Sequence, residues 1–559
     1  MILRQAVAGG LLAIAALALS GGARAAASSP GDASAVGEAI YRQGVLASGA
    51  PLEGMRQQGA PGGGLATRGG DAACVNCHLR SGLGSISTDR RVSIPPIAGQ
   101  YLYQPRTMKA GDHDLPYVEN VKADREPYTD ALLARAIRDG IDSDGKPLGA
   151  LMPRFAIGDA DMAALIAHLR ALDRPRVPGV SESDLHFATI ITPDTDPARR
   201  RAMLDVLDQF IADRNNTQRF PSGQNMIPSG NALYVKQMFK VTRHWTLHVW
   251  ELKGPAATWK AQLDEYFATW PVFAVLSGLG GANWEPVQQF CEQAHVPCLF
   301  PNVDAVPAGA DRGFYSLYFS RGVALEADLV AQRLGAAGDA APLRRVHQVY
   351  RKGDIGEAAA AALADALKAS GLRVTRSVLP EGAQGTGLGA AVPVLAADEA
   401  LVLWLRPGDL AALPALPPGP VYVSGLMGHV DESPLPEAWR ARAHVAYIFD
   451  LPESRRVRLD YPLAWFRVRK IPVVDERLQA DTWLACGLAT ETIKHMVDTF
   501  VPEYLVERLE DTTEHRIITG YYPRLSLGPH QRFASKGGFL VHAVPTLAQW
   551  APEGAWAAP

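Results

Sequence analysis

The chain has 559 residues, of which 47% are hydrophobic and 20% charged, and its formal net charge is −3. This length exceeds one compact core and predicts roughly two to four domains. The composition is that of a globular protein and excludes a disordered, collagen-like or membrane-embedded chain. The slightly acidic balance argues against nucleic acid as a partner, because phosphate binding needs a basic surface.

The first 25 residues have the pattern of an export signal. Arg4 gives a positive start, an apolar stretch runs from Leu11 to Leu19, and Ala23-Arg24-Ala25 matches the small-x-small site of signal peptidases. A membrane anchor is the alternative, but the apolar stretch is short for a span. We expect a periplasmic protein that is soluble after signal cleavage, with no membrane span in the mature chain.

Cys74-Val75-Asn76-Cys77-His78 matches the C-x-x-C-H signature of covalent haem attachment. Two thiols at this spacing can add to the two vinyl groups on one edge of a porphyrin, and the adjacent histidine can bind the iron axially. A redox dithiol or half a zinc site would also use C-x-x-C, but neither explains the histidine. The motif predicts one covalent haem c.

The segments around this motif resemble those of class I c-type cytochromes. Ala35 to Tyr41 has the pattern of a first helix, Ile94 to Gln100 resembles the loop beside the axial histidine, and Tyr128 to Asp139 predicts another helix. The resemblance implies that the backbone carbonyl of Pro95 accepts the Nδ1 proton of His78 and fixes its tautomer.

The second iron ligand is predicted to be Met152. It lies in the run Gly149 to Phe155, which is followed by a helical pattern from Asp159, as in the axial-methionine loop and closing helix of class I cytochromes. The alternatives are Met108 and His113, which lie in an irregular insert, and Met162 and His168, which lie inside the predicted helix.

This resemblance implies an all-α cytochrome c domain over residues 26–175. Two filled axial positions keep small ligands from the iron, so the expected role is electron transfer with a redox partner such as a periplasmic dehydrogenase or another cytochrome. No acid-base cluster is visible, and we expect that the chain is not an enzyme.

A Pro/Gly-containing linker over residues 176–184 precedes a change of pattern. Over residues 185–559, short β-branched runs alternate with Ala/Leu-rich helical segments, which is typical of α/β sheets. The predicted strands are Phe187–Thr192, Trp245–Leu252, Val272–Leu276, Val346–Tyr350, Val421–Ser424 and Val445–Phe449. The predicted helices are Pro197–Arg214, Ala256–Thr269, Glu285–Gln293 and Ile355–Ser370. The pattern changes abruptly at the linker, which predicts that the parts of the chain before and after it fold independently.

In order and spacing, residues 185–559 resemble the type I periplasmic substrate-binding proteins of the branched-chain amino acid and amide receptor group. The stretches that carry the resemblance are Pro271 to Gly281, Cys291 to Pro301 and Val346 to Gly356. The resemblance implies two α/β lobes on a hinge, with a small ligand bound between them.

Candidate ligand contacts lie where the predicted strands end. They are polar, loop-placed residues: Thr192, Ser277, Asn302, Asp354 and Ser424. Each could equally be a satisfied turn residue or helix cap. The Gly-Leu-Gly-Gly sequence after Ser277 departs from the loop of amino-acid receptors, which puts an amino-acid ligand in doubt.

Two matters stay open at this point. Cys291 and Cys298 could form a disulfide or be apolar core residues, and Cys486 is expected to be a buried thiol. The leading functional hypothesis is an electron carrier with a tethered ligand-binding or partner-docking domain. The alternative is a solute receptor for a transporter or signalling system, with the haem as a redox sensor.

Overall fold

The computed structural model of the protein describes residues 30–57, 64–86, 92–104, 125–173, 176–219, 243–335, 343–382, 384–429, 435–496, 499–544 and 549–559. The predicted export signal and the alternative iron ligands Met108 and His113 lie outside the described residues. The chain divides into two compact units, Met1–Asn76 with Thr129–Arg170, and Cys77–Tyr128 with Ala171–Pro559. The division falls inside the C-x-x-C-H motif.

The first part of the chain contains short helices and short strands. In chain order they are α1 (Pro30–Gln43), β1 (Glu53–Gln57), β2 (Gly64–Arg68), a 3₁₀ turn (Gly69–Ala72), α2 (Val75–His78), β3 (Ser85–Ile86), β4 (Ser93–Ile94), α3 (Gly99–Tyr103), α4 (Asp130–Asp139), β5 (Arg154–Ala156) and α5 (Asp159–Ala171). Strand β1 pairs antiparallel with both β2 and β5.

This three-stranded sheet corrects the expectation of an all-α first domain. Strands β1 and β2 flank a glycine-rich segment that the sequence places in a loop. Both are five residues long and mostly exposed, so they lack the buried alternation that marks a strand. Cross-strand pairing, which joins residues about a hundred positions apart in β1 and β5, stabilises them instead.

Helices α1 and α5 cross closely at Gly37. A Cβ atom at this position would lie 2.1 Å from the carbonyl oxygen of Ala164 and 2.8 Å from the Cβ of His168. Only a residue without a side chain permits this approach of the two backbones. Helix α4 matches the predicted helix: Thr129 caps its start by accepting the N–H of Leu132 at 3.2 Å.

The second unit continues with two sets of alternating strands and helices. The first set is β6 (Asp184–Ile191), α6 (Pro197–Arg219), β7 (His244–Glu251), a 3₁₀ turn (Ala256–Thr258), α7 (Trp259–Thr269), β8 (Ala274–Leu276), α8 (Glu285–Ala294), β9 (Cys298–Leu299), a 3₁₀ turn (Ala310–Arg312) and β10 (Ser316–Leu317). The second set begins with α9 (Val323–Gly335), β11 (Arg345–Arg351), α10 (Gly356–Ala366), β12 (Arg373–Leu379), α11 (Leu388–Ala391), β13 (Glu399–Trp404) and α12 (Pro407–Leu410).

The remaining elements complete the second set and connect it back to the first. They are β14 (Val421–Ser424), α13 (Gly425–Gly428), α14 (Glu437–Arg440), β15 (Ala443–Tyr447), α15 (Pro452–Arg469), α16 (Glu476–Met496), α17 (Pro502–Glu514), β16 (Phe539–Val544) and β17 (Gln549–Pro552). Helix α16 packs on α6 of the first set and on α17.

The strands form two separate sheets, and each sheet with its helices is a lobe. The first lobe has five parallel strands in the order β10-β9-β8-β6-β7. The second has seven, β12-β11-β13-β14-β15-β16-β17, in which β16 pairs antiparallel with both β15 and β17. The predicted two-lobed α/β fold of this region is therefore confirmed.

The predicted strands and helices coincide closely with the observed ones where the apolar run is long. The predicted strand Val421–Ser424 is β14 itself, and Val346–Tyr350 lies within β11. Strands β10, β12, β13, β16 and β17 were not predicted. The residues of β12 are exposed or half-buried except Leu379, and β13 after Glu399 is a short apolar run that periodicity alone cannot distinguish from a buried helix.

The segment that follows the haem motif is built into the second unit. Leu83, Ala98 and Tyr101 are buried in the same hydrophobic cluster as the strands of both lobes. The predicted domain boundaries at residues 26–175 and 185–559 stay a prediction, but the described contacts assign Cys77–Tyr128 to the unit that contains the lobes. Among the helices of the described ranges, none is long and apolar enough to cross a membrane.

Candidate functional site

The predicted haem-attachment residues lie on and just before helix α2. Cys74 and Cys77 are half-buried, and His78 at the end of the helix is buried. Leu79 then has a φ of 62°, a left-handed conformation that is uncommon outside glycine.

His78 makes the contact that the sequence predicts for it. Its Nδ1 lies 3.1 Å from the carbonyl oxygen of Pro95, within the second unit. Burial lowers the pKa of His78 to about 4, although the Pro95 carbonyl partly opposes this. The ring is neutral at pH 7, and because the carbonyl can only accept, Nδ1 carries the proton. Nε2 then has a lone pair, which is the form of histidine that ligates a metal.

Met152 lies in a turn before β5, where it is half-buried. Its carbonyl accepts a 2.6 Å hydrogen bond from Arg154. Met152 belongs to the first compact unit and His78 to the second. The rival ligands Met162 and His168 are buried on α5, and the ring of His168 lies 5.0 Å from that of Tyr41. These two side chains are therefore core residues of the first unit.

A buried carboxylate holds the chain directly after the haem motif. Glu507 on α17 accepts the backbone N–H groups of Arg80 at 2.7 Å and Ser81 at 3.0 Å. The guanidinium of Arg80 also lies 4.2 Å from the ring centre of Phe314 in the first lobe. Glu507 is buried, and the loss of hydration raises its pKa to about 8. The backbone N–H groups of Arg80 and Ser81 therefore bond to a carboxyl group that is largely removed from water.

A cleft lies where strands of both lobes end. Loops after β9, β10, β14 and β15 meet helix α16 there, and the empty volume is about 310 Å³ including the open mouth. Its polar lining consists of Asn302, Asp304, Ser320, Arg477, Asp481, Tyr318 and Tyr522. Its apolar lining consists of Pro301, Val303, Phe319, Leu426, Ile448 and Phe449. This lining places polar groups among aromatic side chains, as small-molecule sites do, although the space enclosed in this conformation admits little more than a water molecule.

The strands of the first lobe turn sharply as they reach the cleft. Ser277 after β8 has a φ of 55°, and Phe300 after β9 has a φ of 53°. Both are left-handed conformations that non-glycine residues rarely adopt, and they are typical of ligand-binding loops. The turns bring Asn302 and Asp304 to the edge of the sheet.

A buried ionic cluster occupies the floor of the cleft. Arg477 donates to both carboxylate oxygens of Asp304, at 3.0 and 3.1 Å. Asp481, one turn along α16, receives the hydroxyl of Tyr522 at 3.1 Å and lies 3.7 Å from Arg477. Burial would raise the pKa of Asp304, but Arg477, Arg199 and Arg406 hold it below its ordinary value.

The burial of Asp481 is compensated only in part. Burial raises its pKa to about 7, because Arg477 and Tyr522 offset only part of the desolvation. Its Oδ1 is buried and has no hydrogen-bond partner. Asp481 therefore contributes an acceptor that the chain itself leaves unsatisfied.

Of the five predicted ligand contacts, Asn302 lines the cleft and Ser277 lies directly behind it. The amide nitrogen of Asn302 donates to the hydroxyl oxygen of Ser277 at 3.0 Å. Thr192 donates to Asp194 at 2.5 Å, and Asp354 accepts two hydrogen bonds from Arg406, at 2.9 and 2.7 Å. These two have protein partners and do not line the cleft.

Ser424 is a helix cap, which was the alternative to a role as a ligand contact. It accepts the N–H of Met427 at 3.0 Å and donates to the buried Glu326. Sequence analysis missed Arg477, Asp481 and Tyr522. The i,i+4 spacing of Arg477 and Asp481 is visible in the sequence, but the same spacing is common on solvated helix faces.

The open question about Cys291 and Cys298 is also answered. Both are buried, on α8 and β9, and neither forms a disulfide. A hydrogen bond with Cys298 and burial raise the pKa of Cys291 well above its ordinary range, which keeps it a thiol. Cys486 is a buried thiol, as predicted. Across the described ranges, no group of three or more His, Cys, Asp or Glu residues could hold a metal ion.

No protein-family model and no curated protein matches the chain. Solved structures are similar to it at low identity. A substrate-binding periplasmic protein from Ralstonia solanacearum has 14% identity and a TM-score of 0.48, over 66% of this chain and 100% of that one. A fatty acid ABC transporter substrate-binding protein from Thermomonospora curvata has 14% identity and a TM-score of 0.46, over 69% and 95%.

A branched-chain amino acid ABC transporter from Thermus thermophilus, with bound valine, has 11% identity and a TM-score of 0.44, over 68% of this chain and 98% of that one. With TM-scores below 0.5, these similarities establish neither a ligand nor a function for this chain.

Proposed function

We propose that this protein is an exported receptor that binds a small molecule between its two α/β lobes and carries a haem c as a redox sensor. The observation that carries the proposal is the construction of the second unit. The chain from Cys77 onward shares a hydrophobic core with the lobes, and Glu507 holds it at Arg80 and Ser81. An electron carrier that is only tethered to a ligand-binding domain would not need a hydrophobic core shared with that domain.

The residues of the motif suit a covalent haem. Cys74 and Cys77 would form the thioether bonds, and His78, with its proton held on Nδ1 by Pro95, would present Nε2 to the iron. Met152 is the proposed second axial ligand. A haem of this kind supplies one-electron redox chemistry when bound.

The cleft would bind the ligand through Asn302 and Asp481, which line it and keep unsatisfied acceptor oxygens. Two lobes can close around a ligand by a hinge motion. The periplasm is the proposed location, as the export pattern at residues 1–25 suggests.

Two packed helices would link the cleft to the haem segment. Helix α16 carries Arg477 and Asp481 at the cleft, and α17, which packs on α16, carries Glu507. A ligand that moves α16 would therefore act on the backbone at Arg80 and Ser81. Coupling of this kind is demonstrated when occupancy of the cleft changes a measured property of the haem, such as its midpoint potential.

Electron transfer to a partner protein is the second candidate function. It is favoured by the motif together with Met152, since two axial ligands leave no open position on the iron. In that case the partner would be a periplasmic dehydrogenase or another cytochrome. The two functions differ in one measurable respect, because only the receptor links cleft occupancy to the redox state.

The haem itself is tested by changing Cys77. Protein produced in a cytochrome c-maturing host should carry one haem that acidified organic solvent does not extract. Cys77→Ala should reduce haem attachment to at most one thioether bond and lower the haem content of the purified protein. The control is Cys486→Ala, which removes a thiol in the α/β region and should leave the haem content unchanged. Complete extraction of haem from the wild-type protein would contradict the assignment.

A further inference from the structure

The cleft contains two buried acceptor oxygens without donors. Oδ1 of Asn302 and Oδ1 of Asp481 are buried and have no hydrogen-bond partner, and both residues line the cleft. The side chains are 6% and 2% exposed, so bulk water reaches them poorly. An acceptor left unpaired in such a place costs free energy, and native proteins keep few of them without a reason.

The orientation of the Asn302 amide follows from its neighbours. Its nitrogen lies 3.3 Å from the carbonyl oxygen of Gly278 and 3.2 Å from the hydroxyl oxygen of Thr482. The Gly278 carbonyl can only accept, and the Thr482 hydroxyl already donates to Leu478 at 2.7 Å. Both contacts require the amide nitrogen, so Oδ1 is the amide atom that has no partner.

The charges of the cleft leave one carboxylate in excess. Nη2 of Arg477 contacts both carboxylate oxygens of Asp304, at 3.0 and 3.1 Å, whereas its Nη1 lies 3.7 Å from Asp481. The neighbouring pair Arg406 and Asp354 is neutral as a whole. Asp481 is therefore the acidic group without a full counter-charge, and a cation bound beside it would supply one.

The loop from Ser277 to Gly281 offers few donors to an anion. The N–H groups of Ser277 and Leu279 donate to strand carbonyls at 2.9 Å. Those of Gly280 and Gly281 donate to the Asn302 carbonyl at 3.2 Å and to Thr192 at 3.0 Å. A ligand carboxylate would have to displace these bonds, or compete with Asp304 for Arg477.

We infer that the cleft takes a small ligand with a protonated amine and no free carboxylate. The ammonium group would donate to Oδ1 of Asn302 and Oδ1 of Asp481, and Phe319 and Phe449 would contact its carbon skeleton. Aromatic faces also attract a cation. This inference rests on the proposed function, since it specifies the ligand of the same cleft.

The test uses the full-length wild-type protein and two matched sets of compounds. One set is isoamylamine, leucine, 4-methylpentanoate and isoamyl alcohol, and the other is propylamine, 2-aminobutyrate, butanoate and propanol. Within each set the skeleton is kept while the amine and carboxylate are varied. We expect an amine without a carboxylate to raise the unfolding temperature by a few degrees and to bind at least tenfold more tightly than the other members.

If an amino acid, a carboxylic acid or an alcohol raises the unfolding temperature more than the matched amine does, the inferred ligand class is wrong, but the proposed receptor function still stands. If no compound of either set changes the unfolding temperature, both the ligand class and the proposed receptor function are contradicted for small ligands of this size. The two failures are therefore distinguishable, and neither depends on a variant that must fold.

A variant then locates the binding group. Asp481→Asn keeps the shape of the side chain and removes its charge, and we expect it to weaken amine binding at least tenfold. The matched control is Glu503→Gln, because Glu503 is equally buried, accepts the hydroxyl of Tyr315 at 2.6 Å and does not line the cleft. It should bind the amine as the wild type does. Equal binding by Asp481→Asn and the wild type would overturn the assignment.

Discussion

Single buried carboxylates determine much of the chemistry of this molecule. Glu326 on α9 is fully buried, accepts the N–H of Leu426 at 2.7 Å and receives the hydroxyl of Ser424. Burial nevertheless raises its pKa from 4.5 to about 8, since these hydrogen bonds only partly offset the desolvation. Glu326 therefore stays protonated in the folded protein at pH values where it ionises in the unfolded chain.

This difference predicts how stability depends on pH. Between about pH 4.5 and pH 8 the folded state binds one more proton at Glu326 than the unfolded state does. The contribution of Glu326 to the free energy of unfolding therefore falls as pH rises, by up to about 1.4 kcal/mol per pH unit, and levels off above pH 8. Glu326→Gln, which has no charge to bury, should lose this dependence.

The measurement is urea unfolding of both proteins at a series of pH values. The difference in free energy of unfolding between wild type and Glu326→Gln should change steadily across this range. Glu437→Gln, at an exposed position of the same lobe, is the control and should follow the wild type. Parallel curves for wild type and Glu326→Gln would show that Glu326 is ionised in the fold.

At the scale of elements, the short strands rich in β-branched and aromatic residues were predicted most clearly. The sequence predicts β11 and β14, and both strands are almost entirely buried. It does not predict the hairpin of β1 and β2, whose stability comes from pairing with a distant strand. The contact of His78 with Pro95 was predicted by family resemblance, whereas Arg477 and Asp481 came to the cleft through a helix far along the chain.

The crossing of α1 and α5 gives an element-scale prediction. Gly37→Ala would place a methyl group 2.1 Å from the Ala164 carbonyl, so the helices must separate. We expect a loss of about 1–3 kcal/mol in the free energy of unfolding, typical of overpacking. Thermal unfolding followed by circular dichroism measures it. Gly70→Ala, where no atom lies within 4 Å of the added methyl, is the control and should be nearly neutral.

At the scale of the whole molecule, the second unit combines three features in one hydrophobic core: the cleft proposed to bind a ligand, two packed helices and the chain that leaves the C-x-x-C-H motif. Glu507 is the point at which the helices meet that chain. The sequence suggests independent domains because the pattern changes abruptly at the linker. It does not reveal that Leu83, Ala98 and Tyr101 pack with the lobes, because the rest of that cluster lies far along the chain.

The central claim is that the cleft and the haem act on each other, and the midpoint potential of the haem tests it most directly. The potential is measured by spectroelectrochemical titration of the full-length protein, with and without a saturating amount of the compound that gives the largest thermal shift. A coupling of about 1.4 kcal/mol would move the potential by about 60 mV. We predict a shift of this order, and a smaller one in Glu507→Gln. A potential that stays constant while the compound demonstrably binds would contradict the receptor and favour a tethered electron carrier.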